Sequence, residues 1–300
     1  MNHHIQDKNI SILAKNIIFL QETEKLISIF NKEEIDIMLI KGIAFLEIGY
    51  SDLSKRPLED IDLLILPETL PKVKEILYKN GYKLLSTGEW TFYKENPFII
   101  LDIHTDIFYL TPKEFRKLWK NSPYYVVLDK YKTKIMNPID SIIYSIFHQL
   151  IHHGFLRDYW IEDIYNIIQK HKSPDFFKKL EEKIKEYRFS SFFYIFFSKL
   201  NRIYPGIIPL DFISSLKSST FLHKCLLKTK TYNVGHILRF LSLRWGRKIK
   251  FMYDTLFPTL DFLKRRYPAF AWLGLFLIFL RPFFLIIEIF KLSLQALIKI

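Results

Sequence analysis

Cysteine is nearly missing from this chain: Cys225 is the only one in 300 residues. A lone thiol excludes an intramolecular disulfide framework, and no Cys/His cluster has zinc-ligand spacing. Such usage fits a reducing compartment, the cytoplasm. The start, Met1-Asn2-His3-His4-Ile5-Gln6-Asp7, lacks the charged n-region and apolar core of a secretory signal. Internal repeats and low-complexity segments are also absent. His148, His152 and His153 stand near Asp158, and the first two are one helical turn apart. No His-Glu-x-x-His pattern accompanies them, so they read as helix packing rather than a zinc site.

Apolar residues are plentiful: 49% of the chain is hydrophobic, enough for one large domain or two smaller ones. Charge is uneven. Residues 1–135 hold 19 Lys or Arg against 19 Asp or Glu, while residues 136–300 hold 25 against 12 and so carry the whole excess of +13. A basic second half suits an anionic partner: a phosphate-bearing substrate, a nucleic acid or an acidic membrane leaflet. A genome rich in AT, which favours Lys codons, gives the same bias without any partner.

Against that background three acids stand out. Asp60 and Asp62 lie in Glu59-Asp60-Ile61-Asp62-Leu63-Leu64-Ile65-Leu66, and Asp102 lies in Phe98-Ile99-Ile100-Leu101-Asp102-Ile103-His104. Both runs are apolar and β-branched enough to be strands. Alternation puts Asp60 and Asp62 on one face, about 6.6 Å apart along the strand. Two carboxylates on one face of an apolar strand call for a positive partner. Divalent magnesium is the natural one, since it takes oxygen ligands and is held by one or two carboxylates plus substrate phosphates. His104 shares the face of Asp102; it either touches a phosphate and orients Asp102, or is a satisfied strand histidine.

The periodicity predicts a helix over 10–31, a strand over 36–41, a helix over 43–50 and a strand over 60–66. A helix from about 71 to 80 stops at Gly81, and 82–86 pairs with 90–94 as a hairpin about Thr87-Gly88-Glu89. Asn137-Pro138 marks a boundary, after which the period is helical: 140–153, 156–171, then one or two helices over 175–200. Residues 235–253 read as a basic helix with Arg239, Arg244, Arg247, Lys248 and Lys250.

The order strand, Lys41-Gly42 turn, helix, Asp-x-Asp strand and later Asp strand resembles the nucleotidyltransferase superfamily with the polymerase-beta-type fold. The resemblance is closest to a poorly characterised bacterial branch. That branch reads Lys-Gly in the first turn, Arg shortly before Asp-Ile-Asp, and Asp-Ile-His at the third acid. Here these are Lys41-Gly42, Arg56, Asp60-Ile61-Asp62 and Asp102-Ile103-His104. The match covers roughly residues 10–165. It departs where many members place Ser after the Gly, since this chain has Ile43.

The resemblance implies an α+β fold, with a small mixed sheet covered by helices on one face and a mostly helical C-terminal part. The implied division is a catalytic domain over 1–135, a helical domain over 136–268 and an apolar C-terminal helix over 269–300. The implied reaction moves a nucleoside monophosphate from a nucleoside triphosphate, ATP among them, to an acceptor hydroxyl with release of pyrophosphate. Two magnesium ions, or manganese in their place, would be held by Asp60 and Asp62, with Asp102 sharing one ion and accepting the proton of the attacking hydroxyl. Gly42 either lets a triphosphate approach backbone N–H groups or is an ordinary turn glycine. Lys41 is either a phosphate contact or a solvated charge. Arg56 either clamps phosphate or pairs with Asp60 or Glu59 to hold its loop. The resemblance matches the stretch around Asp163 to a helix that packs against the catalytic sheet, which implies that Asp163 is a structural acid facing the site. The rival reading is a catalytically inactive protein of this fold that binds or scaffolds.

The tail has its own character. Residues 269–280 carry no charge, Arg281-Pro282 interrupts them, and 283–287 resume the apolar run. Twelve residues are too few to span a bilayer, which needs about 20. The expectation is a helix lying in the interface of an anionic membrane, with residues 264–300 as the contact, or one docked on the protein. For nucleic acid, no recognised module is present, and the aromatics are clustered in apolar runs rather than spaced for stacking.

Overall fold

The computed structural model describes residues 2–86, 90–127, 131–149, 158–187, 190–217, 240, 243 and 245–298. The chain divides into two compact units, residues 1–230 and 231–300.

The first unit is α+β, built on a seven-stranded mixed sheet. It opens with α1 (Asn2–Lys32), β1 (Met38–Leu39), α2 (Lys41–Ile48) and β2 (Ile61–Leu64). Next come α3 (Leu70–Lys79), the hairpin β3 (Lys83–Ser86) and β4 (Thr91–Lys94), and β5 (Ile99–His104). Helix α4 (Pro112–Asn121) leads into a second hairpin, β6 (Tyr124–Val127) and β7 (Tyr131–Ile135). The spatial order is β3-β4-β5-β2-β1-β7-β6. The pairs β2 with β5 and β1 with β7 are parallel, and the other neighbours are antiparallel. Five of these strands match the sequence expectation; β6 and β7 enlarge the sheet beyond it.

Burial explains the centre of the sheet. Every residue of β2 is buried, and Ile61, Leu63, Leu64 and Ile65 are wholly removed from solvent. Each contributes about 1.5–3 kcal/mol by leaving water. Strand β5 alternates instead. Ile99, Leu101 and Ile103 are buried, while Ile100, Asp102 and His104 are partly exposed. One face of β5 therefore remains accessible, and it is the face with the acid and the imidazole.

Helices α5 (Pro138–Phe147), α6 (Asp158–His171), α7 (Pro174–Glu186), α8 (Ser190–Ile203) and α9 (Leu210–Ser215) belong to the same compact unit. Three helix starts share one device, a capping side chain followed by Pro at the first helical position. Thr111 accepts from the Glu114 N–H in a capping box, Asn137 from Asp140 and Ser173 from Phe176. Proline fits there because its missing N–H has no intrahelical partner anyway. Helix α2 starts two residues earlier than its periodicity suggests, because Lys41 is the first helical residue and Ile40 the extended N-cap. The expected helix over 140–153 reaches Phe147 as α-helix. His152, His153 and the hairpin tip 87–89 lie outside the described residues.

The second unit contains α10 (Trp245–Leu256), α11 (Leu260–Arg266), a 3-10 turn (Pro268–Leu273) and a C-terminal helix, Phe276–Ile298. The basic helix expected over 235–253 is present from Trp245; Arg239 and Arg244 lie outside the described residues. Pro282 sits inside the C-terminal helix, which continues through it. Among the described residues no helix is long and apolar enough to cross a membrane.

Candidate metal and nucleotide site

Parallel pairing of β2 with β5 sets Asp62 beside Asp102 and Leu64 beside His104. The ligand atoms of Asp62, Asp102 and His104 all lie within 4.8 Å of one another. They come from two strands 40 positions apart in sequence, so the sheet register is what assembles them.

Asp62 is 2% exposed. Its Oδ1 accepts from the Lys41 ammonium at 2.7 Å and lies 2.9 Å from His104 Nε2. With Nε2 protonated, the imidazole is the second donor to this oxygen. Burial alone would raise the Asp62 carboxyl, but Lys41 and His104 outweigh it and hold it down at about 2. For Lys41, burial opposes the charge and Asp62 more than restores it, so the ammonium is held above its ordinary range. Lys41 adopts φ of 50°, a left-handed conformation uncommon for a residue with a Cβ. That conformation begins α2 and accompanies the delivery of Nζ to Asp62.

Asp102 is less well satisfied. Burial, then repulsion from Asp62, pushes its carboxyl up, and a hydrogen bond from Thr91 on the paired strand β4 opposes the shift. Its Oδ1 is buried with no hydrogen-bond partner among the described residues. An unpaired buried acceptor costs about 1–3 kcal/mol, and a cation at that oxygen would remove the cost. Asp60 precedes β2 by one residue. Burial and the Asp62 charge push it up to about 7, with Lys41 pulling the other way and Asp102 adding to the rise. Tyr144 of α5 faces the same charges: burial pushes its phenol up to about 12, with Lys41 opposing and Asp62 reinforcing. Asp62, Asp102 with its unpaired oxygen, and the His104 imidazole are a donor set that fits a divalent cation, and Asp60 lies outside that group though within reach of its charge.

Arg56 goes elsewhere. Its guanidinium donates from Nε to Asp163 Oδ1 and from Nη2 to Asp163 Oδ2, both at 3.2 Å, and from Nη1 to the Pro57 carbonyl at 3.0 Å. The Tyr50 hydroxyl adds a third donor to Asp163 at 2.8 Å. Burial opposes the charge on Arg56, but Asp163 overcomes it and raises the guanidinium further. Gly42 lies against the Arg56 guanidinium, because a Cβ there would stand 2.5 Å from Arg56 Nη1. Of the residues singled out in the sequence, then, Asp62, Asp102, His104 and Lys41 meet, with Asp60 beside them. Arg56 meets Asp163 instead, and Gly42 lies against Arg56.

Asn16 of α1 was not among the expected site residues. It is wholly buried and holds the 53–58 loop: Nδ2 donates to the carbonyls of Leu53 at 2.6 Å and Arg56 at 2.7 Å, and Oδ1 accepts from the Leu58 N–H at 2.9 Å. Its only sequence signal is an uncharged polar residue, next to Lys15, among Ile12, Leu13, Ile17 and Ile18. Thr91 and Tyr144 carried none. His148 packs edge-on to Tyr144 with ring centroids 6.1 Å apart, the packing role expected of it.

A solved antigenic nucleotidyltransferase-like protein from Paracoccidioides brasiliensis is similar at 14% identity and a TM-score of 0.35, over 60% of this chain and 88% of that one. No curated protein matches the chain. The family described as "Uncharacterised nucleotidyltransferase" matches residues 1–205, the span that holds the sheet, the acid cluster and the Arg56–Asp163 pair. The chain belongs to this nucleotidyltransferase family.

Proposed function

We propose that the protein transfers a nucleoside monophosphate from a nucleoside triphosphate to an acceptor hydroxyl, using divalent metal held by Asp60, Asp62 and Asp102. The observation that carries this reading is the in-register pair Asp62 and Asp102, with the Asp102 Oδ1 left without a hydrogen bond among the described residues. Magnesium, with manganese as its substitute, supplies charge neutralisation to the triphosphate when bound. The chain's own residues do the rest. Asp62 is kept ionised by Lys41 and His104, so it is ready to ligate at neutral pH. Asp102 accepts the proton of the attacking hydroxyl as the acceptor oxygen bonds to the α-phosphorus and pyrophosphate leaves. Lys41 exchanges its contact with Asp62 for a phosphate oxygen, and its 18% side-chain exposure leaves a route for that movement. His104 stays on Asp62 and fixes its orientation. Arg56 acts at one remove, locking the 53–58 loop that leads into Asp60.

Pyrophosphate release across the four nucleoside triphosphates, with and without magnesium, tests the reaction. Release that needs the metal and is lost in Asp62→Asn supports it, and full activity in Asp62→Asn overturns it.

The second reading is a nucleotidyltransferase-fold protein that binds or scaffolds without catalysis. It is favoured by one contact, the Lys41 ammonium 2.7 Å from Asp62, which already neutralises a carboxylate of the cluster. Magnesium affinity that rises in Lys41→Gln, with no pyrophosphate release from either protein, selects it.

A further inference from the structure

The second unit wears part of its apolar surface on the outside. On the C-terminal helix, Phe276, Phe279, Phe283 and Ile286 are 67%, 72%, 64% and 64% exposed. Their spacing of three, four and three residues makes one stripe along one side of a helix. Trp272 and Leu275, just before the helix, are 79% and 68% exposed. Leu277 and Arg281, by contrast, are buried, and Phe284 packs on Tyr267 at 4.6 Å and Phe270 at 5.6 Å between ring centroids. The helix thus has a packed side and an apolar exposed side. Water is a poor solvent for a continuous run of large aromatics, and such stripes mark interaction surfaces.

Charge says what covers it. Arg281 is the only charged residue between positions 267 and 287. Its guanidinium is folded back inside the unit, donating to the Tyr267 hydroxyl and, at 3.4 Å, to the Thr255 carbonyl, and it lies 5.7 Å from the Tyr267 ring centre. The stripe is therefore free of charge along its length. Over the second unit as a whole, residues 231–300 carry eleven Lys or Arg against three Asp or Glu. A second copy of this chain would cover the stripe only by bringing two strongly positive units together. An anionic bilayer surface matches both features: phenylalanine and tryptophan enter the headgroup boundary, and the unit's net positive charge is attracted to acidic lipid. No described helix can cross the membrane, so the contact lies in its plane.

We infer that the exposed face of the C-terminal helix, with Trp272, is a binding surface for an anionic lipid bilayer. The inference rests on the second unit alone and is independent of the nucleotide chemistry.

The test uses the full-length chain in flotation with phosphatidylcholine vesicles, with and without phosphatidylglycerol. The comparison protein is the full-length double variant Phe279→Glu/Phe283→Glu. Both positions are exposed, so the variant retains the wild-type circular dichroism spectrum. The wild type floats with anionic vesicles, binds neutral ones at least about ten-fold more weakly and is released by salt. The double variant binds anionic vesicles at least about ten-fold more weakly than the wild type. In parallel, Trp272 fluorescence is measured as the difference between wild type and Trp272→Phe, and it shifts to the blue on anionic vesicles. Failure of the wild type to float overturns the inference, as does equal flotation of the double variant. So does a wild-type dimer in light scattering that the double variant disperses without any flotation, because a second copy then covers the stripe. Tight binding of an RNA or DNA oligonucleotide with no vesicle binding also overturns it.

Discussion

Asp163 and Asp62 are both almost fully buried, at 0% and 2% exposed, yet their charges are met in different ways. Asp163 receives Arg56 through two nitrogens and the Tyr50 hydroxyl, and Arg56 is itself only 7% exposed. Asp62 receives Lys41 and His104, whose side chains are 18% and 23% exposed. Its neighbour Asp102 keeps one oxygen without a hydrogen bond among the described residues. The first acid is closed off by partners that cannot leave without stranding a charge. The second is held by partners that reach solvent, next to an acceptor awaiting a donor. Burial alone therefore does not distinguish a structural acid from a functional one; what distinguishes them is whether the partners are replaceable. Both acids are organised from the first two residues of α2: Lys41 serves one, and Gly42 makes room for the partner of the other.

The sharpest way to break this contrast is Arg56→Ala. Removing one partner of a buried ion pair leaves the other uncompensated, so stability falls by about 3–5 kcal/mol. Urea unfolding measures it, and a loss below about 1 kcal/mol would mean that Asp163 is neutral in the fold. Next comes Asn16→Ala, which strands two carbonyls and one N–H of the 53–58 loop. A loss of about 2–3 kcal/mol follows from the cost of unpaired buried groups, read from the same unfolding midpoint. Gly42→Ala drives a methyl into the pinned Arg56 guanidinium and costs about 1–3 kcal/mol. In the Arg56→Ala background the same change is nearly free, and additive losses in a double-mutant cycle would show that the two residues do not meet. Smallest is Asp62→Asn: Lys41 reaches solvent and repulsion with Asp60 and Asp102 is relieved, which offsets the lost ion pair, so stability falls by no more than about 2 kcal/mol. A loss as large as that of Arg56→Ala would erase the difference between the two acids.

The sequence made the setting of one of these acids legible, and of the other only that it is a structural acid, not what it pairs with. Asp60, Asp62 and Asp102 stand out because each interrupts an apolar run, and alternation assigns each a face without knowledge of the fold. The parallel register that seats Asp62 beside Asp102 is not local, but the order of strands and the Lys41-Gly42 turn carried it through family resemblance. Arg56 and Asp163 are 107 positions apart, on a loop and a helix. No periodicity links them, so the clamp role for Arg56 and its pairing with Asp60 or Glu59 both stood open, and its true partner came only from packing. Asn16 lies 40 positions from the Arg56 carbonyl it holds, and a single polar residue in a helix says nothing of its partner. Strands β6 and β7 are four and five residues long, too short for a period of two to stand out between the helices around them.

Metal binding by the Asp62–Asp102 cluster is the claim on which the functional account depends. Titration of the full-length protein with manganese, followed by its electron paramagnetic resonance signal and competed with magnesium, measures it without any need for turnover. The account predicts saturable binding that magnesium displaces. It also predicts affinity reduced at least about ten-fold in both Asp62→Asn and Asp102→Asn and unchanged in Asp36→Asn, an exposed acid elsewhere on the unit. Binding that survives both substitutions, or no binding at millimolar metal, would contradict it.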